Sequence, residues 1–465
     1  MNIEPIIKEP NAHNTRFIRA LRRLLQADQP VPSRSAEDIA AERERNYHWN
    51  YTVNLLDATT FWFGLSFISA STIVPLFISK LTTSALPVGL AAVVSQGGWL
   101  LPQLFTANAV ERLARKKPVI VNLGFFTERV PMWGILLAPF LVGRSPTLAL
   151  VLFLTAYAWH CLGGGVVATA WQDLVARCFT VNQRGLFWGL SSSIGVGMGT
   201  AGSFFSAWLL KTYPFPTNFA LIFAIAAVAI SLSWFAIALV REPVEPVSAQ
   251  RQSNRQFWAG LLPLLRRDHN FRRFLGARVL LALGRMGVGF ITVSAVRRWD
   301  VSDSVVGLYT AAMLVGQTLG NLAFGLLSDR RGHKLSLELG ACVSFLTFAL
   351  AWLAPSADWY YAVFFLMGIS LGALIVSGML VVMEFCEPSR RPTYLGLANT
   401  GTGLANVVGP LLGALLASFS YSLLFATSAV VSLAALAAMR WGVREPRWLR
   451  AEIEMRDREV GTVSV

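Results

Sequence analysis

The sequence is poor in charge. Of its 465 residues, only 14% are Asp, Glu, Lys or Arg, whereas about 25% is usual for a soluble globular domain. Acidic residues are the scarcer kind, with 26 Asp and Glu against 40 Lys and Arg. Because 54% of the residues are hydrophobic, too few polar side chains remain to cover a water-soluble globule of this length. This balance excludes most soluble enzymes and disordered proteins.

The sequence also lacks the patterns of a metal or nucleotide site. Its 4 cysteines, at positions 161, 178, 342 and 386, are far apart and show no metal-ligand spacing, so we expect reduced packing residues. The phosphate-binding pattern G-x-x-x-x-G-K-[ST] does not occur, which argues against ATP hydrolysis by this chain. We therefore expect no cofactor, no metal and no catalytic residue, and hence a protein that is not an enzyme.

The first 50 residues contain no apolar run long enough for a signal peptide. Within them, residues 15–26 place four apolar side chains on one helical face and four arginines on the rest. This pattern predicts either an amphipathic helix on an anionic leaflet or a solvated tail helix. Ser35 followed by Asp38 predicts a capping box for a second short helix.

The chain contains many long apolar segments. The lengths of twelve of them approach the roughly 20 residues that a membrane helix needs. We number them spans 1 to 12, at residues 52–79, 88–107, 119–141, 147–170, 186–210, 218–240, 274–296, 304–327, 336–354, 359–383, 393–417 and 420–440. A polar linker between spans 6 and 7 divides them into two sets of six.

The basic residues lie mostly on one side of these spans. With a cytoplasmic N-terminus, 32 of them fall on cytoplasmic segments and five on the other face, namely Lys80, Arg144, Lys211, Arg297 and Arg298. Positive charge collects on the cytoplasmic side of membrane proteins. We therefore expect a multi-pass protein of the cytoplasmic (plasma) membrane with both termini in the cytoplasm. The net charge of +14 follows from topology, and we expect no nucleic-acid partner.

The two sets of six spans repeat each other in sequence. Val88-Gly89-Leu90 recurs 218 residues later as Val306-Gly307-Leu308, and Arg184 matches Arg391 at an offset of 207. Parallel halves of this kind are a transporter architecture with the substrate site between them. The sequence predicts an all-α integral membrane protein, with twelve transmembrane helices in two pseudo-symmetric six-helix bundles. The expected parts are a cytoplasmic tail with an amphipathic helix (1–50), the first bundle (51–240), a cytoplasmic linker (241–273), the second bundle (274–440) and a cytoplasmic tail (441–465).

A ten-residue motif follows span 8. Residues 325–334 read GLLSDRRGHK, which resembles the loop signature of the major facilitator superfamily, G-x-L-a-D-R-x-G-R-K, with His333 at the usual Arg position. A weaker copy, ANAVERLARK at 107–116, follows span 2 and has Glu111 and Ala114 in place of Asp and Gly. The resemblance covers the whole membrane topology. It implies the superfamily fold and a secondary active transporter that works by alternating access.

Side chains around both loops are candidates for a conformational clamp. Arg330 can pair with Glu384 at the end of span 10, and Arg112 can pair with Asp173 in the first half. Asp329 can face the N-terminus of a neighbouring helix, where the macrodipole favours an anion. The resemblance implies that such clamps hold the outward-open state, and the alternative is a set of loop-shaping ion pairs without a switching role. The full gating set is Gly325, Asp329, Arg330, Gly332, Lys334, Glu111, Arg112, Asp173, Arg184, Glu384 and Arg391.

Few ionisable residues lie inside the spans, where a charge is costly and usually functional. Asp57, Glu128 and His160 are candidate proton carriers. Arg278 and Arg285 lie on one stripe of span 7 and favour an anionic or zwitterionic substrate. The alternative for all of them is ion pairing that holds helices together. The candidate coupling or substrate-cavity residues are Asp57, Glu128, His160, Arg278, Arg285, Gln103, Gln317 and Asn321.

Glu128 and Arg129 are consecutive in span 3. An α-helix has 3.6 residues per turn, so their side chains should point about 100° apart. We therefore expect only one of the two to face a cavity squarely, although Arg129 can neutralise Glu128 locally.

Together these features predict a secondary active transporter that moves a small solute by alternating access, with protons as the coupling ion. We expect a monomer whose partners are the small-molecule solute, protons and the lipid bilayer. Uptake and efflux both remain open. One alternative is a non-transporting membrane sensor or receptor on the same scaffold. The other is a polytopic membrane transferase, for which the short extracytoplasmic loops offer only Asp300, Asp303 and Asp358.

Overall fold

The computed structural model describes residues 12–30, 34–111, 113–179, 181–244, 263–378, 380–386 and 391–447. Within these ranges all regular structure is helical, which confirms the predicted all-α class. Nine helices of the described ranges are long and apolar enough to cross a bilayer, judged by length and composition. The chain is therefore a multi-pass membrane protein.

Two short helices, Ala12–Leu24 and Ala36–Arg45, precede span 1. The second begins at the predicted capping box. The Ser35 hydroxyl accepts a hydrogen bond of 3.0 Å from the Asp38 N–H, and the Asp38 carboxylate accepts one of 3.1 Å from the Ser35 N–H. Asn122 of span 3 donates to the Leu24 carbonyl at 2.7 Å, so the tail is fastened to the membrane bundle.

Spans 1 to 6 form the N-terminal half. Their helices are Tyr47–Ser66 and Ile73–Leu81 (span 1), Leu86–Glu111 (span 2), the π-helical segments Val119–Leu123 and Phe125–Arg129 with the α-helix Val130–Leu141 (span 3), Pro146–Cys178 (span 4), Val181–Thr212 (span 5) and Thr217–Ala238 (span 6). Spans 1 and 3 therefore depart from the single α-helices that their hydropathy predicts.

Spans 7 to 12 form the C-terminal half. Their helices are His269–Gly284, the 3₁₀ turn Arg285–Gly287 and Val288–Trp299 (span 7), Asp303–Arg331 (span 8), His333–Leu353 (span 9), Trp359–Ser377 with Leu380–Glu384 (span 10), Arg391–Phe419 (span 11) and Tyr421–Gly442 (span 12). The two halves meet where span 2 packs on span 11 and span 5 packs on span 8.

Spans 1 and 7 are interrupted at equivalent places. Span 1 leaves the α-helix at Phe67, and span 7 leaves it at Arg285. These two residues are 218 positions apart, the same offset that relates the repeated sequences of spans 2 and 8. Corresponding breaks in the two halves of a transporter fold point to the region where the halves work against each other.

The break in span 1 is supported by the other half. Backbone groups freed from a helix inside a membrane need partners supplied by the protein. The Ser71 carbonyl accepts a hydrogen bond of 2.7 Å from the Thr292 hydroxyl in span 7. The hydroxyls of Thr72 and Thr310 lie 2.6 Å apart and are buried. The broken segment is thus a polar contact between the halves.

We call the end of the bundle that carries both chain tails the tail face, and the other end the opposite face. The halves are joined at the opposite face, where Lys80 pairs with Asp303 at 2.7 Å and Arg297 donates to the Thr83 carbonyl at 2.7 Å. At the tail face, the ion pairs between described residues each stay within one half. The described polar contacts between the halves therefore favour closure at the opposite face.

Glycines of span 4 let the π-helical part of span 3 come unusually close. A Cβ built on Gly163 would clash with the carbonyl oxygen of Thr127. A Cβ on Gly165 would clash with the carbonyl oxygen of Gly98 in span 2. Small residues allow such backbone approaches between membrane helices. Span 4 consequently presses against the backbones of two neighbours at once.

Replacing Gly163 by alanine should lower the free energy of unfolding by about 3 kcal/mol or more, because overpacking costs roughly 1–3 kcal/mol even where side chains can yield. Gly197→Ala is the matched control, since nothing lies within 4 Å of its added Cβ. Helix propensity alone should change its stability by at most about 1 kcal/mol. Unfolding in mixed detergent and SDS measures both variants, and equal stability would contradict the close approach.

Candidate functional site

A cavity of about 320 Å³ lies among spans of the N-terminal half and reaches Ile375 of span 10 in the other half. We call it the interface cavity. Its walls are largely apolar and aromatic, with Phe61, Trp62, Trp99, Trp171 and Phe187 among the lining residues. Its polar groups are Asn54, Asp57, Glu128, Arg129, Ser191 and Ser192. A mostly apolar cavity with a few convergent polar groups is the usual form of a small-molecule site.

Asp57 is the most firmly positioned acid of this cavity. It is only 6% exposed. One carboxylate oxygen accepts a hydrogen bond of 2.6 Å from the Ser233 hydroxyl in span 6. The other accepts one of 3.2 Å from the indole N–H of Trp171 in span 4. Three spans therefore converge on this carboxylate, and a change in its protonation changes contacts among all three.

Glu128 and Arg129 both line the interface cavity and form an ion pair. The expectation that only one of them would face a cavity is therefore wrong. The physical reason is the π-helical segment that ends at Arg129, since a π turn contains more residues than an α turn. Consecutive side chains then lie closer together around the helix axis than in an α-helix.

His160 lies behind the cavity rather than in its described lining. It is buried, and its Nδ1 is 2.9 Å from the backbone carbonyl oxygen of Glu128. A neutral imidazole can donate from Nδ1 to this carbonyl. His160 thus holds the π-helical segment that carries Glu128 and Arg129, and its predicted role as a proton carrier stays a prediction.

The three candidate amides occupy different environments. Gln103 donates to the Trp99 carbonyl of its own helix at 2.6 Å. Gln317 is buried, and Asn321 has a buried side-chain oxygen without a hydrogen-bond partner among the described residues. None of the three is part of the described cavity lining, so their part in a substrate path is still a prediction.

The two arginines of span 7 also lie outside the described lining of the interface cavity. Arg278 donates to the Gly378 carbonyl, where the first helix of span 10 ends. Arg285 is half-buried at the start of the 3₁₀ turn that interrupts span 7. The charged groups that line the cavity therefore all come from the N-terminal half.

At the signature loop after span 8, Gly332 has a φ of 92° and is buried. Positive φ favours glycine, and a Cβ here would meet the Glu445 carboxylate at 2.8 Å. Lys334 pairs with Glu338 of its own helix at 2.7 Å. Gly325 is half-buried within the helix of span 8. Of these two glycines, only Gly332 is needed for a close approach, which is that of the Glu445 carboxylate to the loop.

The predicted pairing of Arg330 with Glu384 is not found. Glu384 accepts a hydrogen bond of 2.8 Å from Arg447, and Arg330 is exposed. Arg447 follows span 12, and the fold brings this distant segment closer to the acid than the loop arginine. In the first half, Asp173 pairs with Lys116 at 3.2 Å and with Arg177 at 3.3 Å. The side chains of Glu111, Arg112, Arg184, Asp329 and Arg391 lie outside the described residues.

Sequence reasoning missed a pair of glutamates that contact the two loops. Glu242, after span 6, accepts hydrogen bonds from the backbone N–H groups of Lys116 at 2.7 Å and Lys117 at 3.0 Å. Glu445, after span 12, faces Gly332 of the second loop. Both lie in an Arg-Glu-Pro tripeptide that follows the last span of its half, and this repeated tripeptide is the signal that could have revealed them.

The arginines of these tripeptides are held in equivalent ways. Asn50 exchanges two hydrogen bonds of 2.9 Å with the backbone of Arg241. Asn270 exchanges hydrogen bonds of 3.0 and 2.8 Å with the backbone of Arg444. In each half, an asparagine near the start of the first helix therefore fixes the segment after the last span, and the nearby glutamate is positioned against the loop.

Comparisons with known proteins agree with this geometry. Residues 274–464 match the family model of the Major Facilitator Superfamily. A structure of a D-xylose-proton symporter superposes with a TM-score of 0.66 at 12% identity, covering 86% of this chain and 99% of that one. The second half of the chain thus matches the major facilitator superfamily. The twelve membrane-spanning segments of the described residues have the fold of this symporter structure.

Curated relatives match shorter segments of the chain. The chain is 31% identical over 135 residues to "Probable anion transporter 4, chloroplastic" of Arabidopsis thaliana, which is 29% of this chain and 25% of that protein. It is 27% identical over 149 residues to "Multidrug resistance protein MdtL" of Escherichia coli O157:H7, covering 32% and 38%. The matches thus span less than half of these relatives. Superfamily relatives of this chain are transporters rather than enzymes.

We expect the stability of the tail face to depend on pH through Glu445. Burial and the neighbouring charge of Glu384 raise its pKa to about 7, whereas the unperturbed value is 4.5. The folded protein therefore keeps this proton to a higher pH than the unfolded chain does. Stability should fall as pH rises from about 5 to about 8, and Glu445→Gln should reduce that fall.

Melting temperatures in detergent between these pH values test the expectation. Glu44→Gln is the control, because Glu44 is an exposed glutamate of the second tail helix. It should retain the pH dependence of the parent protein. Parallel curves for the parent and Glu445→Gln would show that Glu445 does not take up a proton in this range.

Proposed function

We propose that the chain is a secondary active transporter that moves a small solute across the cytoplasmic membrane by alternating access, coupled to protons. The observation that carries this proposal is the buried Asp57 carboxylate, which lines a cavity reaching both halves. Polar contacts at the break in span 1 and at the opposite face hold the two halves together. A solute and a proton that reach this cavity can be released on the other side when the halves exchange their contacts.

Proton binding would act through Asp57. With both acids ionised, the cavity has two carboxylates and one guanidinium, from Asp57, Glu128 and Arg129. Protonation of Asp57 removes the net negative charge, because Glu128 and Arg129 neutralise each other as an ion pair. It also alters the hydrogen bonds from Ser233 and Trp171. One proton therefore changes both the charge of the cavity and the contacts among spans 1, 4 and 6.

The cavity composition supports a solute with an apolar or aromatic body that is neutral or positively charged. Aromatic side chains dominate its walls, and cations bind favourably over the faces of such rings. The net negative charge with ionised Asp57 opposes an anion at this position. An anionic solute would have to use Arg278 or Arg285, which lie outside the described lining.

We further propose that the tail face is cytoplasmic and that the protein works as a monomer. The excess of basic residues on the tail side supports this orientation. The interface cavity is built within one chain, so the proposed transport path needs no second copy.

Reconstitution into liposomes tests the function. A panel of amphipathic amines, uncharged sugars and organic acids is offered with and without a pH gradient. We expect flux of one solute class, accelerated by the gradient. Asp57→Asn should abolish the acceleration while solute exchange without a gradient continues, because the neutral amide cannot carry a proton.

Asp358→Asn is the matched control, since Asp358 is exposed in the short connection before span 10. It should keep both the flux and its dependence on the gradient. Gradient-driven flux in Asp57→Asn would refute Asp57 as the coupling group. Absence of flux for every solute class with the parent protein would favour a sensor or receptor instead.

A further inference from the structure

A second cavity lies at the tail face, away from the interface cavity. It has a volume of about 660 Å³ and is bounded by the turn after the first tail helix, the second tail helix, the loop before span 3 and the segment after span 6. We call it the tail cavity. Arg45, Arg115, Lys117 and Arg241 line it, together with the acids Glu42 and Glu242. Because four basic side chains outnumber the two acids, the lining of the tail cavity favours an anionic ligand.

Each acid of the tail cavity pairs with an arginine that does not line it. Glu42 pairs with Arg34 at 2.5 Å. Glu242 accepts from the backbone N–H groups of Lys116 and Lys117 and lies 3.4 Å from Arg177. Although Glu242 also faces Lys117, its carboxylate is shared among several donors. The acids therefore cancel only part of the positive charge.

The basic side chains contact mainly uncharged oxygens. Arg115 donates to the carbonyls of residues 29 and 30 at 3.4 and 3.1 Å. Lys117 donates to the Val240 carbonyl at 2.9 Å, and Arg241 donates to the Asn46 side-chain oxygen at 3.1 Å. Arg45 is exposed. An arginine has five N–H donors and a lysine three, so donors remain for an anionic ligand with several oxygens.

Side chains typical of a membrane interface lie beside the tail cavity. Trp49 is 43% exposed and donates from its indole N–H to the Leu239 carbonyl at 2.9 Å. The guanidinium of Arg241 lies 4.8 Å from the centre of the Trp49 ring. Tryptophan and arginine are enriched at lipid headgroups. Next to them, Phe235 and Leu239 expose 59% and 54% of their surface, which suits contact with acyl chains.

We propose that the tail cavity binds the phosphate of an anionic phospholipid. The phosphate oxygens accept hydrogen bonds from the arginines and Lys117, while the acyl chains lie along the exposed apolar surface at the end of span 6. Because Arg45 and Arg115 belong to the tail helix and to the loop after span 2 respectively, one bound phosphate joins the tail to the first signature loop.

Native mass spectrometry of the full-length protein in detergent tests this site. The probes are phosphatidylglycerol, phosphatidylcholine, diacylglycerol and inorganic phosphate. The double variant Arg45→Gln, Arg115→Gln should bind phosphatidylglycerol about tenfold more weakly, as expected when charge-assisted hydrogen bonds are lost. The double lysine variant should recover part of that affinity, and diacylglycerol should bind the parent protein weakly.

Arg144→Gln is the charge-matched control, since Arg144 is an exposed arginine in the turn between spans 3 and 4 at the opposite face. It should bind phosphatidylglycerol as the parent does. Equal binding of phosphatidylglycerol by the parent and a folded double Gln variant overturns the proposal, and so does equal binding of diacylglycerol. Displacement of the lipid by inorganic phosphate at equal affinity overturns the lipid assignment, because the ligand is then a soluble anion. If the double variant does not fold, Arg45→Gln alone is compared with Arg144→Gln.

Discussion

The hydrogen bond from the Thr292 hydroxyl to the Ser71 carbonyl is the contact on which the arrangement of the two halves depends. Hydrocarbon offers no partner to a backbone carbonyl, so a broken membrane helix persists only where the protein supplies one. The break in span 1 is therefore tied to span 7 of the other half. With the Thr72–Thr310 contact, it closes the bundle above the interface cavity. If the halves separate there, these polar groups must find other partners, which makes the contact a natural point of control.

The two halves share a backbone plan but divide the chemistry unequally. Both have a broken first span, a loop signature and an Arg-Glu-Pro segment held by an asparagine. Yet the charged groups of the described cavity lining are contributed by the N-terminal half. The C-terminal half has the better-preserved signature, with a glycine at positive φ against Glu445. The charged groups of the cavity and the better-preserved loop signature therefore belong to different halves.

The fold could be predicted because hydropathy, the charge distribution and a fixed repeat offset each depend on many residues. A departure from the pattern at a few positions does not change them. The position of Asp57 in a cavity was also predictable, because an acidic residue inside an apolar span is costly and usually functional. The cavity geometry around Glu128 was not, because α-helical spacing was assumed where Thr127 lies in a π-helical segment packed on Gly163. The partner of Glu384 was missed because Arg447 reaches it only through tertiary structure.

We propose that the halves rock about the span 1–span 7 contact, so that the two faces open in turn. Distances between spin labels test it most directly, with one pair at Ser84 and Ser302 of the opposite face and another at Glu44 and Arg444 of the tail face, in a variant whose four cysteines are alanine. We expect two populations in which one distance lengthens as the other shortens, with the balance shifted by Asp57→Asn. Distances that stay constant, or that lengthen together, would contradict alternating access in this protein.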